Sequence, residues 1–478
     1  MMSTSASFSA NLASFLGPSR VLTDPVPCAA YAVDETIPAA VAKPASAEEV
    51  AEIVRFAALE KVALIPCGNR TKLGIGMPPS RYDIALDMTA LDKIAHYDPG
   101  DLTLSVDAGL PLAKLNAALL EHKQFLPLLV PWYSRSTVGG TIASGIDSPL
   151  RQFYGTARDF LIGAEFVDGT GKLCKSGGRV VKNVTGYDLH KLLIGSLGTL
   201  AIITRLNFRT FPASLASRGF VASFQNAEGA LALRRAIAES SLTPLTLDLV
   251  SPELARLFAT QTPQTPEAAV FAGEKYSSDQ CFLPPVGDWF RPSEWQLCAA
   301  FASTPEVLAR YERDLMRLAT NSSAISTKFL DDNSRPSLWG RLRETLSMLL
   351  EASPAAAIFK INILPSYHAA LFASLRQIAV RAALPHALIA RAGGTIYFAL
   401  LPTSANDGNT NLLAQTATQI SDLLSASNGP APGDRGHATL LFALPALKHA
   451  FCIPEVSAGR RLKSAFDPQG IFAPGRCF

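Results

Sequence analysis

Charge is what this chain has least of. Only 17% of its 478 residues are Asp, Glu, Lys or Arg, with 43 basic against 40 acidic side chains, below the ~25% typical of soluble domains. A formal net charge of +3, with no cluster of five or more like charges, is too weak a field to hold a polyanion. No nucleic-acid partner is expected. Long apolar runs are also missing: none reaches the ~18 to 20 residues a membrane span needs, and residues 1–18 lack the charged and apolar regions of a secretory signal. No transmembrane segment and a cytoplasmic location are therefore expected. Seven cysteines without any C-x-x-C pair argue against a disulfide framework, a zinc site and an iron–sulfur cluster within the chain, so no metal site is expected. With 48% hydrophobic residues the chain has enough apolar surface for a core, and its length suggests about three packing units. The low charge reflects either large buried interfaces or alanine-rich drift.

Helices and strands alternate at first. Ser46 and Glu49 form a capping-box pattern before Val50, Ile53, Val54 and Ala57, predicting a helix to about Glu60 and then a strand at 62–65 stopped by Pro66 and Gly68. Strands are expected at 84–88 and 102–106, and a helix with Pro111 at its first position. Residues 132–155 read as loop, because Gly139, Gly140, Gly145 and Gly155 interrupt a run of Ser and Thr. A hairpin about Asp168-Gly169 and an apolar strand at 200–208 follow, with a boundary near 212–217. Beyond it, strands at 219–224, 296–302, 357–363 and 395–401 interleave with helices at 227–239, 305–319 and 366–382, fitting an antiparallel sheet backed by helices. Residues 261–292, rich in Pro, Ser, Thr and Gln, read as an insertion.

Common nucleotide and hydrolase signatures are absent. Gly74-Ile75-Gly76 and Gly169-Thr170-Gly171 both lack the third glycine of the Rossmann fingerprint, and there is no P-loop, H-E-x-x-H or G-x-S-x-G. Three glycine- and hydroxyl-rich segments remain, at 66–72, 136–145 and 195–200. Each alone is compatible with an ordinary surface turn. Together, with Arg70 and Lys72 in the first, they suggest backbone concavities for phosphate.

Residues 66–74, Thr137-Val138-Gly139-Gly140, Tyr154-Gly155-Thr156-Ala157-Arg158-Asp159, the run from Gly177-Gly178-Arg179 to Gly186-Tyr187-Asp188-Leu189, and the ending Phe466-Asp467-Pro468-Gln469-Gly470-Ile471-Phe472-Ala473-Pro474-Gly475-Arg476 make the sequence recognisable. It resembles the FAD-binding oxidoreductases of the p-cresol methylhydroxylase (PCMH) and vanillyl-alcohol oxidase type. Within them it most resembles the FAD-binding E subunits of bacterial glycolate oxidases and, more loosely, the D-lactate dehydrogenases. The resemblance implies an α+β chain: a PCMH-type FAD-binding domain of two α/β lobes at 35–212, after an N-terminal extension at 1–34. A cap with antiparallel sheet and helices at 217–455 and a tail at 456–478 returning to the FAD domain would follow.

By the same resemblance, Pro66, Cys67, Gly68, Asn69, Arg70, Thr71 and Lys72 would wrap the FAD pyrophosphate together with Thr137, Val138, Gly139, Gly140, Ala143, Ser144 and Gly145. Tyr154, Gly155 and Asp159 would line the dinucleotide path, and Gly198, Ile202 and Ile203 would pass beside its adenine or ribose end. The first loop holds no histidine, so non-covalent FAD is expected; a Cys67 linkage stays open. Relatives that oxidise 2-hydroxy acids carry a histidine-rich cap motif, whereas this chain reads Arg391-Ala392-Gly393-Gly394-Thr395-Ile396-Tyr397. The catalytic residues are therefore unknown, His437 being a weak candidate base and otherwise a loop histidine at a strand start. Ala473 stands where many relatives have Asn.

The expected function is flavin-mediated oxidation of a small 2-hydroxy acid, with this chain the FAD-binding subunit of a glycolate oxidase or dehydrogenase complex. An iron–sulfur subunit and a second flavoprotein subunit would be its partners, electrons passing to a separate iron–sulfur or quinone acceptor. Peripheral association with the inner face of the membrane through that complex is compatible with this reading. The alternatives are a self-sufficient FAD-dependent D-lactate or 2-hydroxy-acid dehydrogenase, or a catalytically silent assembly subunit. Residues 381–430 carry only Arg381, Arg391, Asp407 and Asp422 as charges, marking a place to look for a subunit interface.

Overall fold

The helix expected after Ser46 forms as Ala47–Glu60, with the Ser46 hydroxyl accepting from the Glu49 amide. Only half of the capping box is made. The Glu49 carboxylate instead accepts from the Ala45 amide and pairs with Arg20 at 2.7 Å. Helix Ala47–Glu60 leads into strand Leu64–Cys67, which runs parallel to Ile84–Asp87. Ala40–Ala42 and Val21–Leu22 complete a four-stranded sheet. Part of the expected N-terminal extension is thus built into this lobe, since Val21–Leu22 is a strand and Phe8, Leu12 and Leu16 join its core. The computed structural model describes residues 8, 11–179, 186–213, 216–261, 270–271, 274–275, 286–287, 290–331, 334–403, 407–425, 436–451 and 457–477. Most of the expected insertion at 261–292, and 180–185 of the Gly177 to Leu189 motif, lie outside the described residues.

The second lobe is a five-stranded antiparallel sheet ordered Ile94–Asp98, Thr103–Asp107, Ile202–Arg209, Leu161–Val167, Leu173–Gly177. The last two form the hairpin expected about Asp168-Gly169, where the Asp168 carboxylate accepts from the Thr170 and Lys172 amides. Pro111 caps helix Leu112–Leu120 from outside rather than opening it. Residues 132–155 are less irregular than expected. Thr137 accepts from the Gly140 amide and starts helix Val138–Ser144, which Gly145 ends at φ 61°. Here a side-chain cap organises a segment without apolar periodicity.

The cap is one antiparallel sheet ordered Ser326–Leu330, Ser217–Phe224, Trp295–Ala302, Thr246–Val250, His386–Ala390, Thr395–Leu400, Ala357–Asn362, His437–Phe442. Its two faces have different neighbours. Phe220, Leu297, Phe359 and Phe398 point to a core shared with helices Ala227–Ala238, Pro305–Asn321, His368–Arg381 and Asp407–Ser425. Val221, Cys298, Ile358 and Tyr397, their chain neighbours, belong to the core of the second lobe. The strands are buried on both faces, which explains why they read as continuous apolar runs rather than as alternation.

Candidate functional site

The site starts where strand Leu64–Cys67 ends, at the carboxyl end of a parallel pair, a usual place for ligands in α/β sheets. Gly68 leaves the space that Thr137 fills: a Cβ there would lie 2.7 Å from the Thr137 methyl. Asn69 Nδ2 donates to the Arg135 carbonyl at 2.8 Å, and Arg70 adopts a left-handed φ of 63°. Its guanidinium rests 4.4 Å from the centre of the Tyr31 ring, beside Asp87 at 3.9 Å. The amides of the five consecutive residues 68–72 donate to no other described residue. Helix Val138–Ser144 comes close because Gly139 lies flat on Ala108, where a Cβ would meet the Ala108 Cβ at 2.7 Å. Residues 197–203 form the third wall, with Gly198 at φ 72°.

These walls enclose a cleft of about 760 Å³, counting the part open to solvent. Arg70, Lys72 and Arg476 line it, and among the described residues no aspartate or glutamate does. Three cations, five free amide donors and glycines at the points of closest approach suit an elongated dianionic dinucleotide. The residues present therefore fit FAD.

Fourteen of the expected cofactor residues line this cleft: Pro66, Cys67, Gly68, Asn69, Arg70, Thr71, Lys72, Thr137, Gly139, Gly140, Ala143, Ser144, Gly198 and Ile203. The others lie elsewhere. Val138 is buried in the second-lobe core and Ile202 in the first-lobe core, each on the far side of its element. Gly145 and Gly155 line a smaller neighbouring cavity with Asp147 and Ser148. Tyr154 packs edge-on against Phe125 and Phe211, and Asp159 closes a capping box with Thr156. Leu73, Met88, Ala108, Leu197, Ala201 and Arg476 line the cleft without having been singled out. Of these, Leu73, Leu197 and Arg476 fell within segments singled out in the sequence, at 66–74, at 195–200 and at the end of the tail motif. Ala473, three residues earlier in the tail, is instead buried beside Tyr82. The Cys67 thiol is buried and points to the Leu86 carbonyl, and burial pushes it well up from its ordinary value.

A second polar group lies where the cap sheet meets the second lobe. Lys360 of strand Ala357–Asn362 reaches Asp147 at 2.7 Å and the Gly145 carbonyl at 3.3 Å, next to cleft-lining Ser144. Arg151 also pairs with Asp147, at 2.8 Å, and donates to Thr395 Oγ1 at 2.7 Å. Burial pulls the Lys360 ammonium down, but Tyr397 and Asp147 outweigh it and hold the group above its ordinary value. The Tyr397 phenol beside it is raised, chiefly by burial. His437 is exposed at the start of strand His437–Phe442, directly opposite Asn362, with Thr439 opposite Lys360. Directly opposed residues share a sheet face, so His437 stands on the face that carries Lys360. Its Nε2 lies 3.3 Å from Thr439 Oγ1. His190 is buried against the Ser176 hydroxyl at 3.0 Å, away from both groups. Among the described residues there is no cluster that could hold a metal ion, and no helix is long and apolar enough to cross a membrane.

Comparison with known proteins places this geometry. Residues 38–177 match the FAD binding domain, and residues 216–477 match the C-terminal domain of FAD linked oxidases. Glycolate oxidase subunit GlcE of Escherichia coli K12 is 36% identical over 167 residues, 35% of this chain and 47% of that protein. A D-2-hydroxyglutarate dehydrogenase of Xanthomonas citri pv. viticola is 34% identical over 195 residues, 40% of this chain and 41% of that one. The chain thus spans less than half the length of these two relatives. Glycolate oxidase subunit GlcD of Bacillus subtilis 168 aligns over 446 residues at 24% identity, 93% of this chain and 90% of that protein. Among solved structures, p-cresol methylhydroxylase with substrate bound superposes with a TM-score of 0.75, at 16% identity, over all of this chain and 97% of that one. At that identity the likeness concerns the fold. The C-terminal match alone takes in more than half of the chain, and with the FAD binding domain before it the conclusion is direct: this chain belongs to the FAD-linked oxidases, and FAD is its cofactor.

Proposed function

We propose that this chain oxidises the CH–OH group of a small 2-hydroxy acid, as the FAD-binding subunit of a glycolate oxidase or dehydrogenase type complex that passes electrons to a separate iron–sulfur or quinone acceptor. One observation carries the reading: a cationic cleft, lined by no acid among the described residues, adjoins a second cationic cluster across a single residue step, Ser144 to Gly145. FAD bound in the cleft supplies a two-electron acceptor for the hydride equivalent of the substrate C–H bond. The chain's own residues do the rest. Lys360 and Arg151 share one carboxylate, Asp147, so their cluster keeps one net positive charge, which suits a substrate carboxylate. The His437 imidazole, on the same sheet face, is placed to take the hydroxyl proton as the 2-oxo acid forms. Tyr397 and Ile358 beside Lys360 limit the access of water. The cleft residues named above hold the cofactor.

A separate acceptor is supported by seven cysteines without a C-x-x-C pair and by relatives that are themselves named as subunits. The self-sufficient dehydrogenase reading gains from the cationic cluster lying within this one chain. Anaerobic titration of the purified FAD-loaded chain with glycolate, D-lactate and D-2-hydroxyglutarate tests both. Loss of the visible flavin absorbance with one of them is expected, with re-oxidation far faster by an iron–sulfur or quinone acceptor than by oxygen. Lys360→Met should keep FAD and abolish bleaching. Bleaching by none of the acids overturns the activity, and unchanged bleaching in Lys360→Met overturns the role of the cluster.

A further inference from the structure

We propose that Glu344 of the cap governs the FAD cleft from outside it: its carboxylate fastens the 132–136 segment and serves as the countercharge that keeps the Lys72 ammonium charged, making cofactor affinity dependent on the cap and on pH. The inference rests on the FAD reading above. Lys72 lines the cleft at 8% exposure. Its ammonium donates to the hydroxyls of Ser136 and, at 3.2 Å, Thr71, and faces the Trp132 ring at 5.8 Å. None of these partners is charged, and no carboxylate of the described residues lies within ion-pair reach. Such a cation is incomplete until an anion enters the cleft.

Glu344, 1% exposed, joins helices Arg335–Arg343 and Thr345–Ala352. Its carboxylate accepts from the amides of Trp132 at 2.7 Å and Tyr133 at 3.4 Å, from Ser347 Oγ at 3.0 Å and from Arg343 Nε at 2.9 Å. The cap therefore grips the turn that ends in Ser136, whose amide closes back on the Trp132 carbonyl at 2.7 Å. Burial pushes Lys72 down to about 7, Glu344 acts against that and Arg135 adds to it. The other charged neighbours are already matched: Arg343 pairs with Glu344 and lies over the Tyr133 ring, and Arg70 faces Asp87.

The sign follows. FAD binds the protonated cleft and raises the Lys72 value on binding, so affinity is full below the unliganded value and falls as pH rises through it. The limit is about tenfold per pH unit. Loss of the Glu344 charge moves the onset to lower pH. An arginine in place of Lys72 stays charged throughout and removes the dependence.

The test is the FAD dissociation constant, read by fluorescence quenching from about pH 5.5 to about pH 8.5, for wild type, Glu344→Gln, Lys72→Arg and the double variant. Wild type should weaken above about pH 7 by up to tenfold per unit. Glu344→Gln should match it at the acid end and be measurably weaker near neutrality, while Lys72→Arg should be flat and cancel the effect of Glu344→Gln. A flat wild-type profile, or a loss in Glu344→Gln that is equal at every pH and survives Lys72→Arg, overturns the proposal. If Glu344→Gln does not fold, Glu344→Asp replaces it: the charge is kept, so the wild-type onset must be kept, and an onset displaced to lower pH overturns the proposal. Absence of FAD binding by wild type at every pH refutes the FAD reading instead.

Discussion

At the scale of single residues, the glycines also let the walls of the cleft pack on one another. Gly139 and Gly140, expected to leave room for a phosphate, also sit where a new Cβ would strike protein atoms: Ala108 Cβ at 2.7 Å and its carbonyl at 2.9 Å for Gly139, Thr137 Oγ1 at 2.9 Å for Gly140. The first clash is with the backbone of an adjoining wall and cannot be relieved by a rotamer. Gly139→Ala should therefore cost about 1 to 3 kcal/mol and weaken FAD retention, with Gly140→Ala milder in both thermal melting and flavin content. Equal melting temperatures for the two variants would show that Ala108 does not confine the helix. The loops that line the cleft were legible because their pattern is local, a strand end followed by glycines and hydroxyls. The Lys360, Asp147 and Arg151 cluster was not, because it depends on sheet register. Arg151 meets Thr395 across 244 positions of sequence, and no spacing rule reaches that far.

At the scale of elements, the C-terminal tail acts as a clasp on the cofactor loops. Leu64 donates to the Ile471 carbonyl and accepts from the Ala473 amide, both at 2.8 Å, while Met77 and Ser80 donate to the carbonyls of Arg476 and Pro474. Arg476 then donates to the Leu73 carbonyl at 2.6 Å and to that of Ile75. Lys463 ties the same tail to the third wall through the Thr199 carbonyl at 2.7 Å. Arg476→Met leaves two buried carbonyls without a donor, at about 1 to 3 kcal/mol each, and removes one of the three cleft cations. A lower melting temperature and a weaker FAD complex are expected together. Unchanged values of both would exclude the clasp. Element prediction succeeded where one face is apolar, as in Ala227–Ala238, expected at 227–239. It failed at Arg335–Arg343, where all nine residues are buried, Arg335, Arg341 and Arg343 among them, so polarity does not mark an exposed face.

At the scale of the whole molecule, the shortage of charge has an intramolecular cause. The stretch 381–430, first read as a place for a subunit interface, contains His386–Ala390 and Thr395–Leu400, interior strands of the eight-stranded sheet and buried almost throughout. One of its four charges, Arg391, is itself buried against Asp248 at 3.1 Å. A sheet covered by helices on one face and by the FAD-binding lobe on the other has little surface left to charge. The junction is therefore more than a contact between two finished domains. One continuous core runs from Leu104 and Phe208 in the second lobe through Trp339 and Leu342 to Ile358 and Phe442 in the cap. Domains joined by a polar interface melt separately; domains that share a core lose both halves together. Calorimetry should accordingly give one unfolding transition, and Leu342→Ala, which empties the shared core, should lower it as a whole by the ~2 to 5 kcal/mol of a large-to-small core change. Two resolved transitions, with Leu342→Ala moving only the one assigned to the cap, would show that the lobe and the cap are stabilised independently.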